Sequence, residues 1–499
     1  MDTLCDLPAT EARCLIGEKS IAPSELLESC INRIEQVNPA VNALVACDFA
    51  TARAVAQKQD KALLRGEPLG PLHGLPLGVK DMIDAAGLPT TFGSVAKRHN
   101  VAQQDERLVA VLRAAGANVV GKTNVPEWGA GGNSRNAVYG TTGNPFDTTR
   151  SAAGSSGGSA AALACGMVSL ATGSDTGGSL RNPAAFNGVV GFRPTAGLIP
   201  AEKRGCAWLQ ISTLGPMGRT VDDAALMFSV MQGEDARDPL SHVVPGRQLR
   251  QPQEFFPLAA IDLSSQRLAW SSDFGFAPTE QGVVACFHGK MQHIAPLFAS
   301  AEQATPDCQG ANEAFETLRS LLFLTATREL YQQQPQSVGE NVRMNIEEGL
   351  RYSALDIARG LDLQTQLYRR WEAFFHDYDY MVSPAVTISP RPWTELYPRE
   401  INGQPTRTYY HWLALAYVTS LAGLPSLSLP LGRDAQGMPF GLQIIGKRGD
   451  DTGVLRVAKA LEQKFSHDPQ LARPQPDIAA LRQASPIASM ADFYLPLGK

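Results

Sequence analysis

The sequence lacks the features that mark export, membrane insertion or metal binding. Its eight cysteines are scattered along 499 residues, with no CxxC pair and no histidine at metal-ligand spacing. Neither a disulfide framework nor a zinc site is therefore predicted. The first twenty residues hold no basic stretch followed by an apolar core, and the most apolar later stretch, residues 418–432, is broken by Gly423, Pro425 and Pro430. We therefore expect a cytoplasmic protein with no membrane-spanning segment and no metal.

The chain also lacks a basic excess and a flexible linker. Its 44 Lys and Arg residues are mixed with 49 Asp and Glu residues, giving a net charge of −5. Because binding to phosphates needs a basic patch, no direct nucleic-acid partner is predicted. No run of Pro, Ser or charge divides the sequence, and 44% of its residues are hydrophobic. The composition therefore favours one large core with insertions.

What the chain does contain is an unusual stretch of Gly, Ser and Ala over residues 150–193. Two Gly-Ser turns, GSSGG at 154–158 and GGS at 177–179, bracket an apolar segment at 160–170. A free linker would show no such apolar segment, so the pattern predicts two loops positioned by one helix. Because glycine has no Cβ, backbone N–H groups in these loops can approach an anion or an oxyanion closely.

Other parts of the chain read as steps of an α/β fold. Apolar spacing predicts helices over residues 23–65, with Ser24 as the N-cap and a break at Asn38-Pro39. An apolar run over residues 75–79 predicts a buried strand that ends at Lys80. A lysine there is either a solvated strand end or, if buried near hydroxyls, a base with a lowered pKa.

Three short patterns match known motifs but lack the required context. GANVVGKT, residues 116–123, fits the phosphate-binding loop, yet its middle predicts a strand, and no helix can begin at its lysine. SVAK at 94–97 fits the SxxK pattern without its companion motifs. GSSGG at 154–158 fits a serine nucleophile elbow, but the histidines that a triad would need stand in no distinctive motif: His242, His288, His293, His376, His411 and His467.

Several long motifs together resemble the amidase signature family. They are LHGLPLGVKD (72–81), GKTNVPEW (121–128), GSSGGSAAALACG (154–166), LATGSDTGGSLRNPAAFNGVVGFRPTAG (170–197), LGPMGRTVDDAAL (214–226), GLPSLSLPLG (423–432) and PFGLQIIGKRGDD (439–451). The resemblance covers roughly residues 20–465 and is weakest between 240 and 370. It implies an α/β fold with a single large mixed β-sheet core covered by helices.

The resemblance also implies a Ser–cis-Ser–Lys triad that acts without metal or cofactor. Ser179 would be the nucleophile, Ser155 the bridging serine after a cis peptide bond, and Lys80 the base. Backbone N–H groups from Thr176 through Gly177 and Gly178 to Ser179 would form the oxyanion hole. A neutral lysine relayed through a serine can activate a second serine, so the physical chemistry is consistent with these roles.

Further residues are expected to support or line this site. Asp175 and Arg181 flank the nucleophile loop, either as a bidentate clamp or as a solvated salt bridge. Gly129 and Asn133, on a glycine-rich loop, are expected beside the substrate. Ala153 stands where the family usually has glycine, which requires a negative φ at that position.

The resemblance suggests four segments within one core. Residues 1–70 would form a helical scaffold, residues 71–235 the core with the catalytic residues, and residues 236–370 a variable insertion or lid. Residues 371–499 would complete the core. The oligomeric state is left open, and a homodimer is compatible with the sequence.

We expect an amidase that cleaves linear carboxylic amides through an acyl-enzyme and releases an acid with ammonia or an amine. One alternative is the glutaminase component of a tRNA-dependent amidotransferase. Those components typically carry an arginine four residues before a glycine, where this chain has Asn345 before Gly349. Asp450 favours that alternative mildly, unless it only begins the final helix. The remaining alternatives are a serine-histidine hydrolase and a non-catalytic subunit.

Overall fold

The computed structural model describes residues 4–241 and 252–497. The helices of this part of the chain are α1 (Ala9–Gly17), α2 (Pro23–Val41), α3 (Phe49–Arg65), α4 (Arg107–Ala114), α5 (Gly157–Ala164), α6 (Arg181–Asn187), α7 (Val221–Met231), α8 (Gln281–Ile294), α9 (Ala311–Gln333), α10 (Glu340–Arg351), α11 (Ala354–Phe374), α12 (Ala414–Leu421), α13 (Asp451–Phe465) and α14 (Ile478–Gln483).

The strands are β1 (Leu44–Cys47), β2 (Pro76–Lys80), β3 (Asn118–Thr123), β4 (Arg135–Asn136), β5 (Gly140–Thr141), β6 (Gly143–Asn144), β7 (Asp147–Ser151), β8 (Leu170–Asp175), β9 (Val190–Arg193), β10 (Thr213–Gly218), β11 (Arg267–Trp270), β12 (Ser300–Gln303), β13 (Tyr380–Pro384), β14 (Glu400–Ile401), β15 (Gln404–Pro405), β16 (Ser426–Arg433) and β17 (Pro439–Gly446).

Eleven of the described strands form one mixed sheet in the order β1-β3-β2-β8-β10-β9-β16-β17-β13-β11-β12. The β2 strand runs parallel to both β3 and β8, whereas the strands from β8 to β13 pair antiparallel. At the far edge, β11 lies parallel to both β13 and β12. The fold is thus the helix-covered mixed α/β sheet that the sequence predicts.

The topology brings two chain segments together at one edge of the sheet. Leu77 of β2 is the register partner of Leu170 of β8, and both strands are buried along their lengths. Because neighbouring parallel strands end at the same edge, Lys80 and the residues that close β8 share that edge. The polar residues at these two strand ends form the site described below.

The N-terminal helices differ in detail from the sequence prediction. The α2 helix begins at Pro23 with Ala22 as its N-cap, not Ser24, because proline is pre-organised for the first helical turn. It continues through Pro39, so the predicted break at that residue is wrong. The side chain of Asn38 accepts from the backbone N–H groups of Ala43 and Leu44, which ends the helix and leads the chain into β1.

The strand β3 explains why the phosphate-loop match has no function in nucleotide binding. Gly121, Lys122 and Thr123 all lie inside this buried strand. The Lys122 ammonium donates to the carbonyl of Ile83 and to the Thr90 hydroxyl, so it contacts neighbouring protein groups. The strand predicted over these residues is confirmed.

The helices of residues 311–374 pack as a separate layer against the middle of the sheet. The α9 helix packs against α10, α11 and α12. Its buried residues include Phe315, Leu318 and Phe323, which belong to one apolar cluster with Tyr409 and Trp412. Within residues 4–241 and 252–497, no helix is long and apolar enough to cross a membrane.

Candidate active site

Lys80 lies at the centre of a group of serine hydroxyls. It is the last residue of β2, and its side chain is completely buried. Its Nζ lies 2.7 Å from Ser155 Oγ, 2.9 Å from Ser156 Oγ and 2.8 Å from Ser174 Oγ. Hydroxyls donate as well as accept, so they can satisfy the amine in either protonation state. The alternative of a solvated lysine at a strand end is therefore wrong.

The surroundings of Lys80 favour its neutral form. Burial lowers the pKa of Lys80 from 10.5 to about 7, because the ammonium loses its hydration shell. The negative charge of Asp175 raises the pKa, but by less than burial lowers it. At neutral pH the site therefore holds an amine that can accept a proton from a neighbouring hydroxyl.

A tight turn carries Ser155 and Ser156 to this amine. The peptide bond between Gly154 and Ser155 is cis, as the family resemblance implied. Ser156 is the N-cap residue of α5, whose first residues pack against backbone without room for a side chain. A Cβ at Gly158 would lie 2.2 Å from the backbone nitrogen of Asn124. The glycines of this motif are thus required by close packing.

The expectation for Ala153 is wrong. Its φ is +57°, in the left-handed region, although the sequence argument required a negative value. Two hydrogen bonds hold this conformation: Ala153 N–H donates to Ser151 Oγ, and its carbonyl accepts from the backbone N–H of Ser134. A left-handed residue with a Cβ costs roughly 1 to 2 kcal/mol, which the surrounding bonds offset.

Ser179 and the serine group open into one cavity of about 420 Å³. Ser155, Ser174 and Ser179 all line this cavity, and Ser179 is half-buried. The backbone N–H of Ser156 donates to the Ser179 carbonyl over 3.2 Å, which links the two Gly-Ser loops. The structure thus brings Lys80, Ser155 and Ser179 to one place, as the sequence predicts.

The Asp175 carboxylate fixes the loop that carries Ser179. It accepts hydrogen bonds from the backbone N–H groups of Gly178 and Leu180 and a bidentate pair from Arg181. Arg193 adds a third contact at 3.1 Å. These guanidinium groups hold the pKa of Asp175 well below its usual range, despite complete burial. Of the two sequence alternatives, the buried clamp is correct and the solvated salt bridge is wrong.

The Asp175 clamp changes the expected oxyanion hole. Because Gly178 N–H donates to Asp175 Oδ1 over 2.9 Å, it is not free to bind a second acceptor. Within the part of the chain that the structure describes, the backbone N–H groups of Thr176, Gly177 and Ser179 have no hydrogen-bond acceptor. Gly178 instead serves geometry: its φ is +110°, and a Cβ there would lie 2.5 Å from the Ala416 Cβ.

Gly129 and Asn133 have different surroundings, although one loop carries both. Gly129 lines the cavity, and a Cβ there would lie 3.5 Å from Ser155 Oγ. Asn133 is buried, and its amide donates to the carbonyls of Trp393 and Glu395 while it accepts from Ser151. The expectation that Asn133 binds substrate is therefore wrong, because all of its polar atoms serve to fasten the loop.

Apolar side chains form much of the cavity wall. Met82, Phe92 and Trp128 lie on one side, and Phe92 stacks on Trp128 with ring centroids 4.7 Å apart. The α9 helix contributes Leu322 and Phe323. Such walls suit an apolar or aromatic part of a ligand.

Sequence reasoning missed several groups of this site. Ser156 and Ser174 contact Lys80, and Arg193 and Gln443 complete the bonds of the clamp. The first two lie inside the quoted Gly-Ser motifs, so a hydroxyl count near the predicted loops could have found them. Arg193 and Gln443 come from β9 and β17, and only the sheet topology brings them to Asp175.

The residues behind the two main alternatives lie elsewhere. Asp450 is the N-cap of α13 and accepts from Gly453 N–H and the Tyr380 hydroxyl, so it begins the final helix as the simpler interpretation proposed. Asn345 donates to the Tyr409 hydroxyl. Among the described residues, no histidine lines the cavity. His242 lies outside the described residues.

Comparison with known proteins is consistent across sequence and structure. The family model Amidase matches residues 25–455. An acylamidase of Rhodococcus erythropolis is 34% identical over 459 residues, covering 91% of this chain and 95% of that protein. A glutamyl-tRNA(Gln) amidotransferase component from Desulforudis audaxviator is 31% identical over 506 residues, covering 94% and 97%. The crystal structure of a bacterial aryl acylamidase superposes with a TM-score of 0.84 at 28% identity, covering 93% and 96%.

Proposed function

Because the chain belongs to the amidase signature family of amide hydrolases, we propose that it cleaves carboxylic amides through an acyl-enzyme on Ser179. The observation that carries the proposal is the 2.7 Å contact between the buried Lys80 amine and Ser155, beside the cavity that Ser179 lines. A serine hydroxyl becomes a competent nucleophile when a neighbouring base removes its proton.

The first step is proton transfer away from Ser179. With its pKa near 7, Lys80 is partly neutral at physiological pH and can accept a proton from Ser155. Ser155 in turn accepts the proton of Ser179, so the bridging hydroxyl gains one proton and loses one. The Ser179 oxygen then attacks the amide carbon, and the carbonyl oxygen becomes an oxyanion.

The nucleophile loop would stabilise that oxyanion. The backbone N–H groups of Thr176, Gly177 and Ser179 are the donors that remain once Gly178 is bonded to Asp175. Donors fixed in place before the reaction commonly contribute about 3 kcal/mol each to transition-state stabilisation. Asp175 holds the loop in position through its bonds to Gly178, Leu180 and Arg181.

The relay then works in reverse to release the product. The leaving nitrogen takes the proton held by Lys80, returned through Ser155, and departs as ammonia or an amine. Water attacks the acyl ester on Ser179 with the same base, and the acid is released. No step in this scheme uses a metal or cofactor, and the required partner is a small amide.

An amidotransferase glutaminase is the competing function, favoured by the similarity to a glutamyl-tRNA(Gln) amidotransferase component. Two positions argue against it. Asn345, where those components were expected to carry arginine, is buried and bonded to Tyr409, and Asp450 caps a helix. A free-standing amidase is therefore the better proposal.

The experiment that separates these functions is an amide panel on the purified chain. It should contain glutamine, simple aliphatic amides and anilides, with ammonia or the amine as the readout. We expect hydrolysis of amides by the chain alone and no preference for glutamine. Activity limited to glutamine, and dependent on added partner proteins, would favour the amidotransferase instead.

A further inference from the structure

We propose that Arg319 is a substrate-binding residue that selects amides carrying a carboxylate away from the scissile bond. This inference rests on the proposed amidase function and adds a substrate class to it. Arg319 belongs to α9, and its side chain lines the same cavity as Ser155 and Ser179.

Arg319 is a buried cation without a carboxylate partner. Its exposed fraction is 5%, and among the described residues it forms no ion pair. Its guanidinium donates through Nε to the Tyr409 hydroxyl over 3.1 Å and through one terminal nitrogen to the same oxygen. A guanidinium has five N–H donors, so one phenolic oxygen leaves several of them available. Buried charges are normally paired, which makes this side chain unusual.

Aromatic rings surround the guanidinium and hold it in place. Its central carbon lies 5.8 Å from the Phe315 ring centroid, 5.0 Å from Phe323, 5.2 Å from Tyr409 and 5.4 Å from Tyr410. Ring faces stabilise the cation but accept no strong hydrogen bond. The cation is therefore pre-organised and retains unused donors, as a binding group for a planar carboxylate requires.

The acidic groups near Arg319 are engaged elsewhere. Glu316, one turn earlier on α9, pairs with Arg407. Glu348 accepts from the hydroxyls of Ser320, Tyr352 and Tyr410. Neither carboxylate is bonded to Arg319, so a carboxylate that enters the cavity would meet a cation that no side chain neutralises.

The position of Arg319 relates it to the reacting atoms. Phe315 lies one turn before it on α9, and a Cβ on Gly177 would lie 2.8 Å from the Phe315 ring. Further along the helix, Leu322, Phe323 and Ala326 continue the same wall, and Ala326 is exposed. Arg319 is thus at the inner end of an apolar wall, next to the nucleophile loop. A ligand with an apolar middle and a terminal carboxylate matches this order of groups.

The first test measures binding without turnover. The Ser179→Ala protein is titrated with benzoate and with benzyl alcohol, an uncharged molecule of similar size. We expect benzoate to bind at least about tenfold more tightly, because hydrogen bonds between charged groups are the strong ones. Equal binding of the two molecules would overturn the proposal, whatever the catalytic activity of the chain.

The second test measures turnover with paired anilides. On the amine side, 4-acetamidobenzoate is compared with 4-methylacetanilide, and on the acyl side, succinanilate is compared with butyranilide. We expect the wild type to prefer the carboxylate in one of the two pairs by about tenfold to a hundredfold in kcat/KM, mainly through KM. The pair that shows the preference identifies the part of the substrate that faces Arg319.

The variants decide whether Arg319 causes the preference. Arg319→Met should remove it while kcat for the neutral anilide stays within about threefold, and Arg319→Lys should restore part of it. Arg328→Met, an exposed arginine on the same helix, is the matched control and should keep the preference. An equal loss on neutral and charged substrates in Arg319→Met would overturn the proposal. Failure of the amidase function itself would appear separately, as no hydrolysis of the neutral anilides.

Discussion

Lys80 and Ser155 are joined by a 2.7 Å hydrogen bond between an amine and a hydroxyl in a completely buried setting. The other hydrogen-bond partners of the amine are Ser156 and Ser174, which carry no charge. This relationship makes the protonation state of one lysine the control of the proposed reaction.

The first prediction concerns the pH dependence of catalysis. Because the base must be neutral and its pKa is lowered to about 7, kcat/KM should rise with pH through about 7 and level off above it. The measurement is a pH profile with a neutral amide. A rise centred near 10, the ordinary value for lysine, would show that Lys80 is not the base.

The same shift predicts a pH dependence of stability. Between pH 7 and 10.5 the unfolded chain binds a proton at Lys80 that the folded chain does not, so folding becomes less favourable as pH falls through this window. Relative to Lys80→Met, the free energy of unfolding of the wild type should fall by up to about 1.4 kcal/mol per pH unit. Urea denaturation at several pH values checks this. A difference that does not vary with pH would contradict the lowered pKa.

A third prediction distinguishes the hydroxyls around Lys80. Ser155 and Ser174 contact the amine and line the cavity, whereas Ser156 contacts it without lining the cavity. We expect Ser155→Ala to lower kcat by about a thousandfold or more, and Ser156→Ala and Ser174→Ala by about tenfold. If Ser174→Ala were the most damaging of the three, the relay would run through Ser174 instead.

The Asp175 clamp predicts a large effect on stability. Asp175→Asn leaves Arg181 and Arg193 buried without their carboxylate and should cost about 3 to 5 kcal/mol. The matched control is Asp147→Asn, which removes a partly exposed pair with Arg150 and should cost less than about 1 kcal/mol. Urea denaturation measures both. Similar costs for the two variants would mean that the clamp contributes little to the fold.

Much of the site was predictable because its signals are local. Lys80 ends a short apolar run, and the Gly-Ser motifs around Ser155 and Ser179 are contiguous in the chain. The fold class followed from the same motifs and from the alternation of helix and strand. Features set by tertiary contacts were not predictable from local patterns.

Asn133 and Ala153 illustrate those limits. The residues that satisfy the amide of Asn133 come from a segment some 260 positions away, so its role as a loop fastener left no trace in its own motif. The positive φ of Ala153 depends on bonds to Ser151 and Ser134 that propensity does not encode. Similarly, α2 continues through Pro39 because the side chain of Asn38 and the following strand fix its end.

The most direct test of the account is the identity of the acylated residue. The purified chain is mixed with a hydrolysable amide or the corresponding ester, quenched in acid during turnover, digested and analysed by mass spectrometry. We predict the acyl mass on the peptide that contains Ser179, and neither adduct nor turnover in Ser179→Ala. An acyl group on another residue, or full activity in Ser179→Ala, would contradict the proposed mechanism.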